Sequence, residues 1–401
     1  MLADLGDEQG WRRPLAVSFG FVFIALFVLA SGLGIPLGLA IFGLLALPTL
    51  PHLKQLVPLE YPLAIFLVFI AWAWASASWS PYVHSQQAWK MALGAPLYGL
   101  FGYAVWTLRG RGRLLALYAA LASMLLILAI YAIEAITGFA SHLFAEGAER
   151  EQMLRDMTRG ISAMICATPA AWAFLAMLIP GWRGVMAGVL YGVLAFVIAW
   201  HFGLEAGMLA IVVAAMVFGI AWIYPRSTIL ATGLAAVVLF LLTPMLMPFF
   251  LSLLDVDSLP LSWAIRVENW EFAIERIIDK PLFGWGLDAS RSFTEPYQIR
   301  GNVLPNISVH PHNVGLQLWL ETGLIGALLF AASALALAMR VSSAWNLSRS
   351  QGAAIAACVG AYLTFCTLTY GAWQEWFWGC AAWIGALCIL VGPAPERVTQ
   401  K

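Results

Sequence analysis

Charge is what this sequence has least of. Only 10% of its 401 residues are Asp, Glu, Lys or Arg, while 62% are hydrophobic. Soluble globular chains are nearer a quarter charged, so a soluble domain is excluded. Basic and acidic residues balance at 21 each, which leaves no surplus for a nucleic-acid surface. The short alternating segments of a transmembrane β-barrel are missing. The five cysteines, Cys166, Cys358, Cys366, Cys380 and Cys388, all fall inside apolar runs. They have neither metal spacing nor a loop-based disulfide framework, and they read as small buried side chains. There is no P-loop, no G-x-G-x-x-G after a strand, no internal repeat and no low-complexity tract. The N-terminal MLADLGDEQGWRRP leads into an apolar run without an A-x-A-like cleavage site, which reads as a first span and not as a removed signal peptide.

What the chain does have is apolar runs long enough to cross a bilayer, repeated along its length. The expectation is an all-α polytopic membrane protein forming one integral domain over residues 1–401. Its twelve or so spans lie near 15–31, 33–49, 59–78, 91–108, 114–136, 160–179, 185–202, 207–224, 228–254, 313–338, 353–372 and 376–392. Lys and Arg in short connections set the orientation. Arg12, Arg13, Lys54, Arg109, Arg111, Arg113, Arg183, Arg226, Arg340, Arg349, Arg397 and Lys401 fall on one side, with both termini, and that side reads as cytoplasmic. Most cations of the other side sit in two longer loops, 137–159 and 255–312.

The loop 255–312 is the one substantial extramembrane segment. Within it, WAIRVENWEFAIERIIDK (263–280) has helical periodicity. Trp263, Val267, Trp270, Ile274 and Ile277 make an apolar stripe, and Glu268, Glu271, Glu275 and Asp279 lie away from it. The helix is expected to lie on the membrane surface or to cap the bundle. At 100° per residue, Arg266 sits beside the stripe and Arg276 on the polar side. PLFGWGLDASR then gives a tight turn that delivers Asp288 and Arg291.

Several constellations could carry chemistry. In HPHNVGLQLWLETGLIGALLF (310–330), Asn313 can cap a membrane-length helix whose N-terminus suits phosphate. Asn313, Gln317 and Glu321 follow at i, i+4 and i+8, on one face. Polar groups at membrane depth normally face an interior or a cavity; ordinary capping and interhelical hydrogen bonding is the competing account. Arg159 opens the sixth span on the face of Ser162 and Cys166, with snorkelling as its plainer explanation. Lys90, after WSPYVHSQQAW, is a phosphate contact or another snorkelling cation. Arginine suits pyrophosphate because its planar fork gives two parallel hydrogen bonds. Asp255 and Asp257 have the spacing of a metal-binding pair but read as loop and cap chemistry. Trp373-Gln374-Glu375-Trp376-Phe377-Trp378 reads as an aromatic interfacial belt.

His312-Asn313, nine residues, Gly323, two residues and Gly326 resemble the His-[Asn/Ser/Gln]-x9-Gly-x-x-[Gly/Thr/Tyr] signature of the O-antigen ligase superfamily. Arg266-x3-Trp270 and Pro281-x2-Gly284-x-Gly286 are similar to that family's large periplasmic loop. The likeness covers 255–330 by motif and the chain by architecture. It implies a metal-independent glycosyltransferase without cofactor, in the Gram-negative inner membrane with its site on the periplasmic side. The donor would be a glycan on undecaprenyl pyrophosphate and the acceptor lipid A–core, with membrane lipids around both. His312 and Arg266 would be catalytic. Arg159, Arg291 and Lys90 would bind pyrophosphate, and Asn313, Gln317 and Glu321 would support them. His312 would serve as base or as phosphate ligand, and the transfer would invert the anomeric centre. The chain ends nine residues after its last span, which favours a ligase over a protein O-oligosaccharyltransferase. An O-antigen polymerase is the nearest rival. A lipid-linked glycan transporter is the rival of another class; it would need two matched halves with equivalent broken helices.

Overall fold

The computed structural model describes residues 10–30, 32–47 and 60–393. Lys54, Arg397, Lys401 and the polar residues 1–9 lie outside the described residues. The chain runs α1 (Arg12–Leu26), α2 (Gly34–Leu45), α3 (Tyr61–Ser76), α4 (Gln87–Thr107), α5 (Gly110–Thr137), the short α6 (Phe139–Phe144), α7 (Gly147–Leu178), α8 (Trp182–His201) and α9 (Glu205–Ile223). After these come α10 (Pro225–Leu241), α11 (Thr243–Leu251), α12 (Leu261–Asp279), β1 (Pro296–Ile299), β2 (Asn302–Pro305), α13 (Val314–Ser342), α14 (Arg349–Leu368) and α15 (Glu375–Val391). Among the described residues the fold is an all-α, multi-pass membrane architecture with one two-stranded hairpin added.

Each of the twelve expected windows holds a helix, but they are not equal. Among the described residues seven helices (α3, α5, α7, α8, α9, α13 and α14) are long and apolar enough to cross a membrane, or eight if α10 and α11 count as one. The windows at 33–49 and 376–392 hold apolar helices of only 12 and 17 residues. The expected span 228–254 is bent by 77° between α10 and α11. Pro244 at the start of α11 and Pro248 within it break the hydrogen-bond ladder there.

The loop expected at 137–159 is also different. Helix α7 begins at Gly147 and runs without interruption into the span. The stretch AEREQMLRDMTR is rich in strong helix formers, so the helix continues past the apolar part. Arg150, Arg155 and Arg159 therefore ride on a helix. Every residue from Gly160 to Ala171 is buried, and α7 packs against α8, α9, α14 and α15. A helix buried all round is the core element of its bundle. Its Gly, Ala, Ser and Cys side chains let neighbours approach closely. Arg159 marks the point where this core helix emerges.

Helix α13 is not continuous either. Gly323 has φ 66° and ψ −170°, which interrupts the helix within the membrane-length run. The break frees carbonyls and amides that the helix would have paired, and the segment 281–286 fills them. Trp285 N–H donates to the Leu320 carbonyl at 2.8 Å and Gly286 N–H to that of Glu321 at 2.8 Å. In return Leu324 N–H reaches the Pro281 carbonyl at 2.8 Å. Trp72 Nε1 donates to the Thr322 carbonyl at 2.9 Å. Buried backbone groups need such partners. The close approach leaves no space for side chains: a Cβ on Gly323 would lie 2.2 Å from the Leu282 oxygen, and one on Gly284 2.6 Å from the Glu321 carbonyl carbon. Gly284 of one motif and Gly323 of the other thus meet at one seam.

Helix α12 has the expected amphipathic phase. Its buried line is Ala264, Val267, Trp270, Ala273 and Ile277, shifted slightly from the expected stripe because Ile274 is only half-buried. It packs on Leu316, Trp319 and Leu320 of α13 and so caps the bundle. The hairpin β1–β2 turns at Arg300-Gly301, both with positive φ. Arg300 donates to the carbonyls of Val256, Asp257 and Leu259, a structural role.

Candidate active site

The segment His310–Asn313 is pinned at every residue. His310 is buried, its Nδ1 accepting the His312 backbone N–H at 3.1 Å and its Nε2 lying 2.9 Å from the Gln374 side-chain amide. Trp270 Nε1 donates to the Pro311 carbonyl at 2.7 Å. Thus the tryptophan of Arg266-x3-Trp270 ties α12 to the histidine segment. Asn313 caps α13 by accepting from Leu316 N–H at 3.0 Å, and its amide reaches the Thr367 carbonyl at 3.0 Å.

His312 is half-buried, and its Nδ1 lies 2.7 Å from the Thr369 carbonyl. A carbonyl can only accept, so the proton is on Nδ1 and the Nε2 lone pair is open. Burial draws the imidazole below its usual pKa, assisted by the Arg266 charge and opposed by the Thr369 hydrogen bond. His312 is therefore neutral near pH 7, with a fixed tautomer and a free basic nitrogen.

Three arginines surround this pair of histidines. The charges of Arg291, Arg159 and Arg266 all bear on His310, which burial, His312 and these cations together hold well below the usual imidazole range. The three come from the 285–292 loop, α7 and α12, with Arg159 over a hundred residues before the other two in sequence. They are not equivalent. Arg159 is ion-paired with Asp156 at 3.3 Å and Arg291 with Asp288 at 2.9 Å. Arg266 is half-buried, with no carboxylate in ion-pair range among the described residues, and its Nε has no hydrogen-bond partner. Its guanidinium lies over the Trp263 ring, 4.8 Å from the centroid, while Trp263 Nε1 donates to Glu205. Burial lowers its pKa, and Glu205 and Tyr370 act in the opposite sense. Its Nη1 reaches the Ser262 carbonyl at 3.4 Å, so the guanidinium is held by backbone and ring and leaves planar donors of the kind that suit an oxyanion. Arg276, by contrast, pairs with Asp279 at 3.2 Å.

Glu321 and Gln317 hold the surroundings in place. The Glu321 carboxylate is fully buried and accepts from Asp288 N–H, Ser290 N–H, Ser290 Oγ, Gln317 Nε2 and Trp373 Nε1. It knots the loop carrying Arg291 to α13 and to the connection between α14 and α15. Gln317 Oε1 accepts from Ala372 N–H at 2.7 Å.

That connection corrects the sequence reading. Residues 373–378 are no interfacial belt: Trp373 and Trp376 are each 3% exposed. Thr369 orients His312, Tyr370 Oη lies 2.8 Å from Ser162 Oγ on α7, Trp373 holds Glu321 and Gln374 meets His310. Belt tryptophans do not need Gln and Glu among them, and that polar admixture was the available signal. Lys90, expected as a phosphate contact, pairs with Glu375 at the edge of this wall. Asp255 and Asp257 are exposed, and among the described residues no three His, Cys, Asp or Glu side chains gather closely enough to hold a metal ion.

One comparison with known proteins is located on the same region. A family profile described as O-antigen ligase matches residues 193–331. A protein of Rickettsia conorii is 33% identical over 138 residues, 33% of each chain. One of Rickettsia typhi is 31% identical over 137 residues, again 33% of each, and one of Rickettsia bellii 29% over 144 residues, 35% of each. All three are named "Putative polysaccharide ligase". The chain spans about a third of the length of these curated relatives. No solved structure matches it. The matched segment contains Arg266, the glycine seam, His312 and the first part of α13, and over it the chain is similar to the O-antigen ligase family.

Proposed function

We propose that the protein is a glycan ligase that moves an oligosaccharide from undecaprenyl pyrophosphate to a sugar hydroxyl of lipid A–core. The observation that carries this reading is a neutral His312, its Nδ1 committed to Thr369 and its Nε2 open, beside the unpaired cation Arg266. His312 Nε2 takes the proton of the acceptor hydroxyl. The hydroxyl oxygen forms its bond to the anomeric carbon as the bond to the pyrophosphate oxygen breaks, with inversion. Charge then grows on the departing phosphate, and Arg266, Arg291 and Arg159 neutralise it. The new imidazolium keeps its Nδ1–H on the Thr369 carbonyl. Arg159 and Arg291 would exchange their carboxylate partners for phosphate, and Lys90 would join only by leaving Glu375. The reaction is placed at the periplasmic face of a Gram-negative inner membrane, with twelve crossings, both termini cytoplasmic and 255–312 as the periplasmic loop. No nucleotide is needed, because the donor carries its own leaving group, and in this reading the arginines supply the positive charge that a metal would otherwise bring.

The test is transfer by purified protein in vesicles, with lipid-linked donor and lipid A–core acceptor. Product formation lost in His312→Ala and in Arg266→Ala is the expected result. Wild-type protein that consumes no donor, or that elongates lipid-linked glycan and ignores lipid A–core, would overturn the ligase reading.

A further inference from the structure

His312 has a backbone conformation that its side chain does not favour. Its φ is +55°, in the left-handed region where residues with a Cβ are crowded. Among the described residues Asp288 and Arg300 share a positive φ, and all the others are glycine. A glycine would adopt this conformation freely but carries no base. Something must therefore hold the residue there, and His310 is the group in place. Its Nδ1 accepts the His312 peptide N–H at 3.1 Å, and the two ring centroids are 4.4 Å apart. His310 itself cannot shift. It is 6% exposed, Gln374 lies 2.9 Å from its Nε2, and Gly371 packs so close that a Cβ there would be 2.7 Å from the ring.

We propose that His310 is a positioning residue: its Nδ1 fixes the left-handed backbone of His312 and so aims His312 Nε2 at the acceptor. The proposal rests on the reading of His312 as the base. The role needs a lone pair on Nδ1, hence a neutral ring. Burial and the surrounding cations favour that form. A protonated His310 would turn a donor toward the His312 N–H and release it. Direct proton transfer by His310 is not part of the role, since its one acceptor nitrogen is engaged by the His312 N–H and its ring is buried.

The experiment compares His310→Asn with His310→Leu. Asparagine can place Oδ1 where Nδ1 stands and keep the acceptor; leucine fills the space without one. The first readout is the ¹⁵N spectrum of histidine-labelled protein in lipid vesicles, which reports the His312 tautomer without any turnover. Wild type and His310→Asn should show His312 protonated on Nδ1, and His310→Leu should lose that single state. The second readout is glycan transfer. His310→Leu should lose kcat about a hundredfold with the donor KM little changed, the scale expected for a misaimed catalytic group. His310→Asn should stay within about tenfold of wild type, a loss well short of the misaimed one. A His312 tautomer unchanged in His310→Leu overturns the proposal. So does the reverse order of activity, which would make His310 a packing group, or equal inactivation of both variants with the tautomer intact, which would make it a reacting group. If wild type transfers no glycan, the functional reading falls, and the tautomer comparison still decides the positioning role.

Discussion

Replacing Arg266 and Arg276 separately by alanine tests the arrangement of the anion site. Both arginines lie on α12, ten residues apart, and both are half-buried. Their environments differ. Arg276 is ion-paired with Asp279 at 3.2 Å on the polar side of the helix. Such a partly exposed pair stabilises by about 0–1 kcal/mol, so Arg276→Ala should cost a little stability and leave turnover within about twofold. Arg266 lies on the His312 side, over Trp263, with no carboxylate in ion-pair range among the described residues. Its stacking on Trp263 contributes about 0.5–1 kcal/mol to local order. Its larger effect should appear in the reaction. Losing one preorganised charge at a departing phosphate costs about 3 kcal/mol, roughly a hundredfold in rate. The loss should appear in kcat more than in donor KM, because the charge it meets grows as the bond breaks. The assay is initial-rate glycan transfer in vesicles at matched protein levels, with thermal unfolding measured on the same samples. Equal loss of kcat in the two variants at equal stability would refute the assignment. A loss confined to KM for Arg266→Ala would show that it binds donor without assisting departure.

Glu321→Gln keeps the shape of the buried knot but turns one acceptor oxygen into a donor, facing either Asp288 N–H and Trp373 Nε1 or the Ser290 and Gln317 donors. Each stranded donor costs about 1–3 kcal/mol; unfolding should come at lower temperature and kcat should fall with it, and an unchanged melting curve would sink the idea. Gly323→Ala should prevent folding of the bundle, since the new Cβ would lie 2.2 Å from the Leu282 oxygen at φ 66°; normal yield and a normal elution profile would show the seam to be loose. The folded pKa of His312 is depressed below 6.5, so the base is neutral at pH 7 and activity should fall only as pH drops through that lowered value. The same shift makes its contribution to stability complete above the ordinary imidazole range and lost on acidification. An acid limb of kcat/KM lying above pH 7 would contradict this assignment. Transfer should persist in excess EDTA; activity abolished by EDTA and restored by Mg²⁺ or Mn²⁺ would replace the arginine mechanism with a metal one.

What was legible in the sequence follows from how local each signal is. Membrane-length apolar runs declare themselves because the bilayer demands them, and all twelve windows hold helix. The phase of α12 was legible because one helix face decides it, which is why Arg266 and Arg276 could be told apart. Interruptions were harder. The bend between α10 and α11 had its cue in Pro244 and Pro248, but within an apolar run of 27 residues the hydropathy outweighed the prolines. The break at Gly323 has no such cue in its neighbours. A glycine inside an apolar helix is commonplace, and it becomes a break only because the 281–286 segment, forty residues earlier, supplies the missing backbone partners.

The site divides in the same way. Residues with chemistry of their own, the arginines, His312 and Glu321, stand out in an apolar chain because each costs free energy to bury and so needs a reason. Groups that act by backbone or by aromatic nitrogen do not stand out. Thr369 contributes a carbonyl, Gly371 its lack of a Cβ, and Trp373 and Trp270 one N–H each. Their letters are those of an ordinary membrane interface. The polar atoms that fix His312 and Glu321 therefore come largely from residues that composition and periodicity treat as apolar filling. In a chain with so little charge, that is where second partners must be found: each ionisable group brought into the bundle must be met by backbone carbonyls, amides and indoles, since few other polar groups are available.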